Sequence, residues 1–219
     1  MLGKYIKHCE DSLTASAISH LLHLPSELFW RILREACMGN DLPDYCGEVR
    51  QVKYWPKWSP NGTDNSRYVE PDVFLRFDDF DLIIEAKRWD IAMQYQGQWE
   101  NELAAYRSEY GDTKKLFFLA LGGNANEISE DLDGVKIVKC KWIDLLHVIK
   151  DCQKELNSLK FPQHHQTAQQ RVLADTVDFF YWHGIVAGRW FKDFDFERHK
   201  LQQDELFLEI LRRIKGNIA

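Results

Sequence analysis

The stretch Glu70–Lys87, E-P-D-V-F-L-R-F-D-D-F-D-L-I-I-E-A-K, decides how the rest of the chain is read. Two short apolar runs, Pro71–Phe77 and Asp81–Lys87, lie either side of an acidic turn, Asp78-Asp79-Phe80. Each run is rich in Val, Ile, Leu and Phe and has strand length, so the pair predicts a β-hairpin. Side chains alternate faces along a strand, so Glu85 and Lys87 point the same way and Ala86 points the other. Asp72 opens the first strand and lies across from the end of the second. An Asp, a Glu and a Lys therefore converge at one end of an apolar hairpin. Buried carboxylates must be paired, hydrogen-bonded or metal-bound. Two of them side by side repel, and a divalent cation relieves that repulsion. Mg²⁺ takes one or two carboxylates and keeps waters for a phosphate substrate. A Lys beside it can orient or help deprotonate a bound water, which is the chemistry of metal-assisted phosphodiester hydrolysis. The plainer reading of Glu85 and Lys87 is a same-face salt bridge on an edge strand, worth little energetically.

Outward from the hairpin, residues 10–24 predict a helix stopped by Pro25. Leu13, Ala17, Leu21 and Leu24 share its apolar face, and Glu10 projects onto the same face. Periodicity leaves Glu10 two readings: a first-turn acid favoured by the helix dipole, or a carboxylate aimed at an active site. Ser26 caps a second predicted helix, Glu27–Cys37, with Leu28, Phe29, Ile32, Leu33 and Ala36 inward and Gly39 after its end. A strand is expected over Glu48–Tyr54, followed by a loop, Trp55–Arg67, marked by Pro, Gly, Asn and Ser. The two Trp of that loop either stack on nucleic acid or anchor the loop to the core. Trp89–Tyr110 predicts a helix with Tyr95, Trp99, Leu103 and Tyr106 on its apolar face and Gln98 and Glu102 beside it. Lys115–Leu121 is a continuous apolar run of the kind buried on both faces of a sheet. Gly122-Gly123-Asn124 closes it and is not followed by G-K-[ST], so it is not a phosphate loop. A strand at Val135–Cys140 and a helix at Trp142–Leu156 complete a mixed α/β layer fold. Beyond a break at 160–165, helices are expected over Thr167–His183 and Arg198–Lys215, joined by an aromatic and acidic connector at 190–196.

Composition narrows the class. The 219 residues are 45% hydrophobic and 13% aromatic, as expected of an ordered globular chain. No apolar run reaches membrane-spanning length, and the start shows no signal-peptide pattern. The five Cys form no C-x-x-C pair and read as free thiols of a reducing cytoplasm. The eight His form no H-E-x-x-H, so a zinc site is not indicated. The net charge of −6 lies entirely in residues 70–160, with twelve basic and eighteen acidic side chains; the flanking parts are balanced. An acidic balance runs against the basic footprint usual for nucleic-acid binding, and bound metal would offset part of it.

Glu70-Pro71-Asp72 followed by Glu85-Ala86-Lys87 resembles the PD-(D/E)XK nuclease superfamily, with its restriction-endonuclease-like fold. The resemblance spans roughly residues 10–145. It implies a nuclease-like domain, 1–160, with an αβββαβ core and a mixed central sheet flanked by helices. Residues 161–219 then form a C-terminal helical extension that packs on the core or docks a partner. It further implies Mg²⁺ or Mn²⁺ held by Asp72, Glu85 and the Ala86 carbonyl, with Glu10 from the first helix completing the site. Lys87 would act on the attacking water, and Gln98 would orient Lys87 or a phosphate. The implied activity is hydrolysis of phosphodiester bonds, in DNA above all, in defence, restriction or repair. The implied assembly is a homodimer or a subunit of a larger complex. The alternative is a non-catalytic member that uses the fold to bind nucleic acid or a partner.

Overall fold

The computed structural model describes residues 9–89, 93–126, 128–159 and 163–186. In chain order these form α1 (Glu10–Leu21), α2 (Ser26–Ala36), β1 (Gln51–Tyr54), β2 (Val73–Arg76), β3 (Phe80–Ala86) and α3 (Gln96–Tyr110). There follow β4 (Lys115–Leu121), β5 (Glu130–Leu132), β6 (Val135–Cys140), α4 (Trp142–Asn157) and α5 (His164–Trp182). The strands make one mixed sheet in the order β1-β2-β3-β4-β6-β5. β1, β2 and β3 are an antiparallel meander, β3, β4 and β6 run parallel, and β5 closes the far edge antiparallel to β6.

The hairpin forms, with Val73 opposite Ile84 and Arg76 opposite Asp81, but its turn is tighter than expected. Phe80, read as part of the turn, is the buried first residue of β3, and its carbonyl accepts the Phe77 amide. β3 is central and every one of its residues is buried. That is why F-D-L-I-I-E-A shows no polar-apolar alternation apart from its two acids. One face carries Phe74, Ile83 and Phe118, which pack on Trp99, Leu103 and Tyr106 of α3 and on Trp58 of the preceding loop. The other face presents Phe80, whose ring meets Trp30 of α2 at 5.1 Å. On this second side α4 packs against α2 and against α5, and α5 packs against α1. Each fully buried Leu or Phe contributes roughly 1.5–3 kcal/mol, so these two layers hold the sheet rigidly.

Several boundaries differ from expectation. α3 begins at Gln96, not Trp89. The amides of Met93 and Gln94 both donate to the Gly123 carbonyl, at 2.8 and 2.9 Å, which holds that approach in an open conformation. Tyr95 is consequently exposed instead of lying on the apolar face. β5 was not anticipated: it is short and acidic. Its return to β6 is an Asp133-Gly134 turn with both φ values positive (50 and 77), the geometry that D-G favours in hairpins. α5 starts three residues before its expected position, and residues up to Val186 form one compact unit that includes it. The Phe180 ring of α5 lies 5.9 Å from Trp142. The expected connector at 190–196 and the helix over 198–215 lie outside the described residues. No described helix is long and apolar enough to cross a membrane.

Candidate active site

The register of the meander puts three residues in one row just past the last paired positions of β1 and β2. Tyr54 pairs with Val73, and Val73 with Ile84. One step further, Trp55, Asp72 and Glu85 lie side by side. The Trp55 amide donates to the Asp72 carbonyl at 3.0 Å, continuing the ladder. Asp72 is locked at both carboxylate oxygens: Oδ2 accepts from the Ala86 amide at 2.8 Å, and Oδ1 from the Trp55 indole at 3.2 Å.

Lys87 follows β3, and its amide donates to the Leu121 carbonyl at 2.8 Å, so the parallel pairing with β4 holds it in line. Its ammonium bonds Glu85 Oε1 and stands 4.0 Å from Glu10 Oε1. Glu10 enters from the first turn of α1, and its Oε2 accepts the Arg88 amide at 2.7 Å. Of the two readings open for Glu10, the structure brings it to the Lys87 end of the hairpin. Asp72, Glu85, Lys87 and Glu10 thus meet at the C-terminal end of β3, contributed by the hairpin and α1.

Glycines make the close approach possible. Gly122 and Gly123 follow β4 with φ of 70 and 65. A Cβ on Gly122 would fall onto the Lys87 carbonyl oxygen, and one on Gly123 would lie 2.6 Å from Lys87 Cβ. Trp142 at the start of α4 donates its indole N–H to the same Lys87 carbonyl at 2.7 Å. The backbone carrying Lys87 is therefore clamped between the Gly-Gly turn and α4.

Two residues at this site carried no role in the sequence reading. Gln94 donates to the carbonyls of Glu85 and Gly122, both at 3.1 Å, and accepts from the Trp99 indole at 2.9 Å. Glu102 lies one helical turn beyond Gln98 on α3 and is 1% exposed. Its Oε1 accepts from Gln98 at 3.0 Å, while Oε2 meets no amide or hydroxyl donor. Gln98 and Glu102 both lie near enough to the Glu85 carboxyl to favour its charged form, behind burial and Lys87. A mid-helix Glu on the Leu103–Tyr106 side was the available signal, since the position faces the sheet at Ile83 and Glu85. The remaining acids considered near the hairpin are peripheral. Glu70 sits 4.0 Å from Lys57, and Glu48 accepts the exposed Ser26 hydroxyl at 2.9 Å. Trp58 is buried against Phe74, Tyr106 and Tyr110, so this Trp anchors the loop.

The electrostatics follow from burial. Burial, reinforced by the charge of Glu85, raises the Asp72 carboxyl to about 7 against the pull of the Ala86 amide and Lys87. Burial raises Glu85 as well, although Lys87 opposes it. Burial, and then the charge of Glu85, push the Glu102 carboxyl well above the carboxylate range. Burial alone would lower the Lys87 ammonium, but Glu85, Glu10 and Asp72 outweigh it and the net shift is upward. Three acids, Glu85, Glu10 and Asp72, act on the one lysine, and Glu102 lies behind Glu85.

Among the described residues, no group of three or more His, Cys, Asp or Glu is gathered as a ready cation cage. The donors at the end of β3 are hard oxygens of two neighbouring carboxylates. Mg²⁺ accepts one or two carboxylates and retains water, so this set fits a largely hydrated cation better than a protein-caged one. No protein-family model matches the chain, and no curated protein matches it in sequence.

Proposed function

We propose that the chain is a metal-dependent nuclease of the PD-(D/E)XK kind, hydrolysing phosphodiester bonds in DNA. The observation that carries this reading is the meeting of Asp72, Glu85, Lys87 and Glu10 at one strand end, with the acids in electrostatic excess. The chain order around them, two helices, an antiparallel three-strand meander, a helix and a strand parallel to β3, supports the reading. Asp72 and Glu85 would hold Mg²⁺ or Mn²⁺, with the Ala86 carbonyl and Glu10 completing the set. The cation would supply charge neutralisation at the scissile phosphate and a more acidic water.

The residues of the chain then have separate tasks. Lys87, held by Glu85 and by the clamp on its backbone, orients the water through its ammonium. Glu10 holds the ammonium from its other side. Gln98 and Glu102 fix the Glu85 carboxylate from α3. Asp72→Ala and Lys87→Ala are each expected to lower Mg²⁺-dependent nicking of supercoiled plasmid by about 10³-fold or more, with the circular dichroism spectrum unchanged. Normal nicking by both variants would remove the residues from the chemistry.

A further inference from the structure

A tryptophan stands at the edge of the carboxylate group in a backbone conformation that bulky residues rarely adopt. Trp55 has φ of 48, in the left-handed region, where non-glycine residues are uncommon and cost about 1–2 kcal/mol. The conformation turns the chain immediately after β1 and lets one residue make two contacts with Asp72. Its backbone amide takes the Asp72 carbonyl at 3.0 Å, and its indole N–H takes Oδ1 at 3.2 Å. The Tyr54 ring packs beside the indole, with centroids 5.8 Å apart, and the Tyr54 hydroxyl is tied to Ser19 of α1 at 2.7 Å. The indole is thus braced, and Trp55 itself remains only half-buried.

We infer that Trp55 is a positioning residue for the proposed reaction. It fixes the rotation of the Asp72 carboxylate so that its remaining lone pairs are directed toward the Glu85 side, where the cation would bind. This rests on the nuclease reading. With the Ala86 amide on Oδ2 and the indole on Oδ1, the carboxylate plane has no free rotation. Without the indole, only one hydrogen bond would define it. A carboxylate that must find its orientation binds a hydrated cation more weakly and holds it less precisely.

The test compares wild type with Trp55→Phe, which keeps an aromatic ring and removes the N–H, and Trp55→His, which keeps a ring N–H. Mn²⁺ affinity is measured by calorimetry on the DNA-free protein, and kcat and KM are measured on plasmid DNA. Trp55→Phe is expected to weaken Mn²⁺ binding about tenfold and lower kcat about tenfold, with KM for DNA and the melting temperature unchanged. Trp55→His is expected to recover most of both losses. Wild-type Mn²⁺ affinity and kcat in Trp55→Phe would overturn the assignment, as would a loss confined to KM or to melting temperature. A wild-type protein that neither binds Mn²⁺ nor cuts DNA would overturn the nuclease reading itself, and this inference with it.

Discussion

β3 buries two acidic side chains on the same face, Asp81 at its beginning and Glu85 near its end, and their surroundings are opposite. Asp81 is fully buried and over-supplied with partners: Arg76 at 3.2 Å, Lys114 at 3.0 Å and the Tyr106 hydroxyl at 3.0 Å. Lys114 also caps the Phe77 carbonyl at the hairpin turn. Two cations and a phenol compensate one anion, so burying it is tolerable and the turn is stapled to β4 and α3. At the other end the ratio is inverted. Glu85, Asp72 and Glu10 share Lys87; burial raises Glu85, Asp72 and the neighbouring Glu102, and the charge of Glu85 adds to the rise of the last two. One end is built to hold the hairpin together. The other is left with unmet demand for positive charge, which is costly for a fold unless something binds there.

The sharpest way to break this contrast is at the stabilising end. Asp81→Ala strands Arg76 and Lys114 without their anion and is expected to cost about 3 kcal/mol in urea unfolding. Nicking by the folded fraction should be retained. Equal stability with lost activity would reverse the roles assigned to the two ends. Gly122→Ala acts at the other end through the backbone. It forces a side chain into a left-handed conformation against the Lys87 carbonyl. A loss of about 2 kcal/mol is expected, together with a larger loss of activity than of stability, because Lys87 is displaced. A loss of stability alone would mean that the clamp does not position Lys87.

The smallest effect has the most telling sign. A carboxyl raised in the folded state favours folding while it stays protonated. In the unfolded chain Asp72 ionises near 4, whereas in the fold it ionises near 7. Between those values the folded state binds more protons, so stability falls as pH rises and levels off above about 7. Asp72→Asn removes that penalty. It should leave the melting temperature near the wild-type value at pH 4. At pH 8 it should raise it by about 3 °C, the equivalent of about 1 kcal/mol in a chain of this size. A variant less stable than wild type at pH 8 would show that the acids are already compensated within the protein.

How much of this could be read in the residues depends on distance along the chain. The hairpin was legible because Asp81, Glu85 and Lys87 interrupt an otherwise apolar run, and because period two puts Glu85 and Lys87 on one face. Lys115–Leu121 was legible as a central strand for the same compositional reason. The Trp89–Tyr95 segment was not. Its aromatics continue a helical pattern, but the Met93 and Gln94 amides are claimed by the Gly123 carbonyl, a contact from the turn after β4. Gln98 was placed toward the site by the family resemblance, spacing having put it only beside the apolar face of α3, and its side chain donates to Glu102. Glu102, Gln94 and Trp55 owe their places to the packing of α3, the Gly-Gly turn and the left-handed bend after β1. Gln94 and Trp55 carry no local pattern that separates them from an ordinary loop or anchoring residue, and Glu102 carries only its place on the sheet-facing side of its helix.

The central claim is that the end of β3 is incomplete without a cation. Calorimetric titration of Mn²⁺ into wild type and Asp72→Ala at pH 7.5, without nucleic acid, tests it most directly. The account predicts saturable binding to wild type, with release of protons as the raised carboxyls ionise, and loss of that binding in Asp72→Ala. No binding to wild type, or binding that Asp72→Ala leaves unchanged, would contradict it.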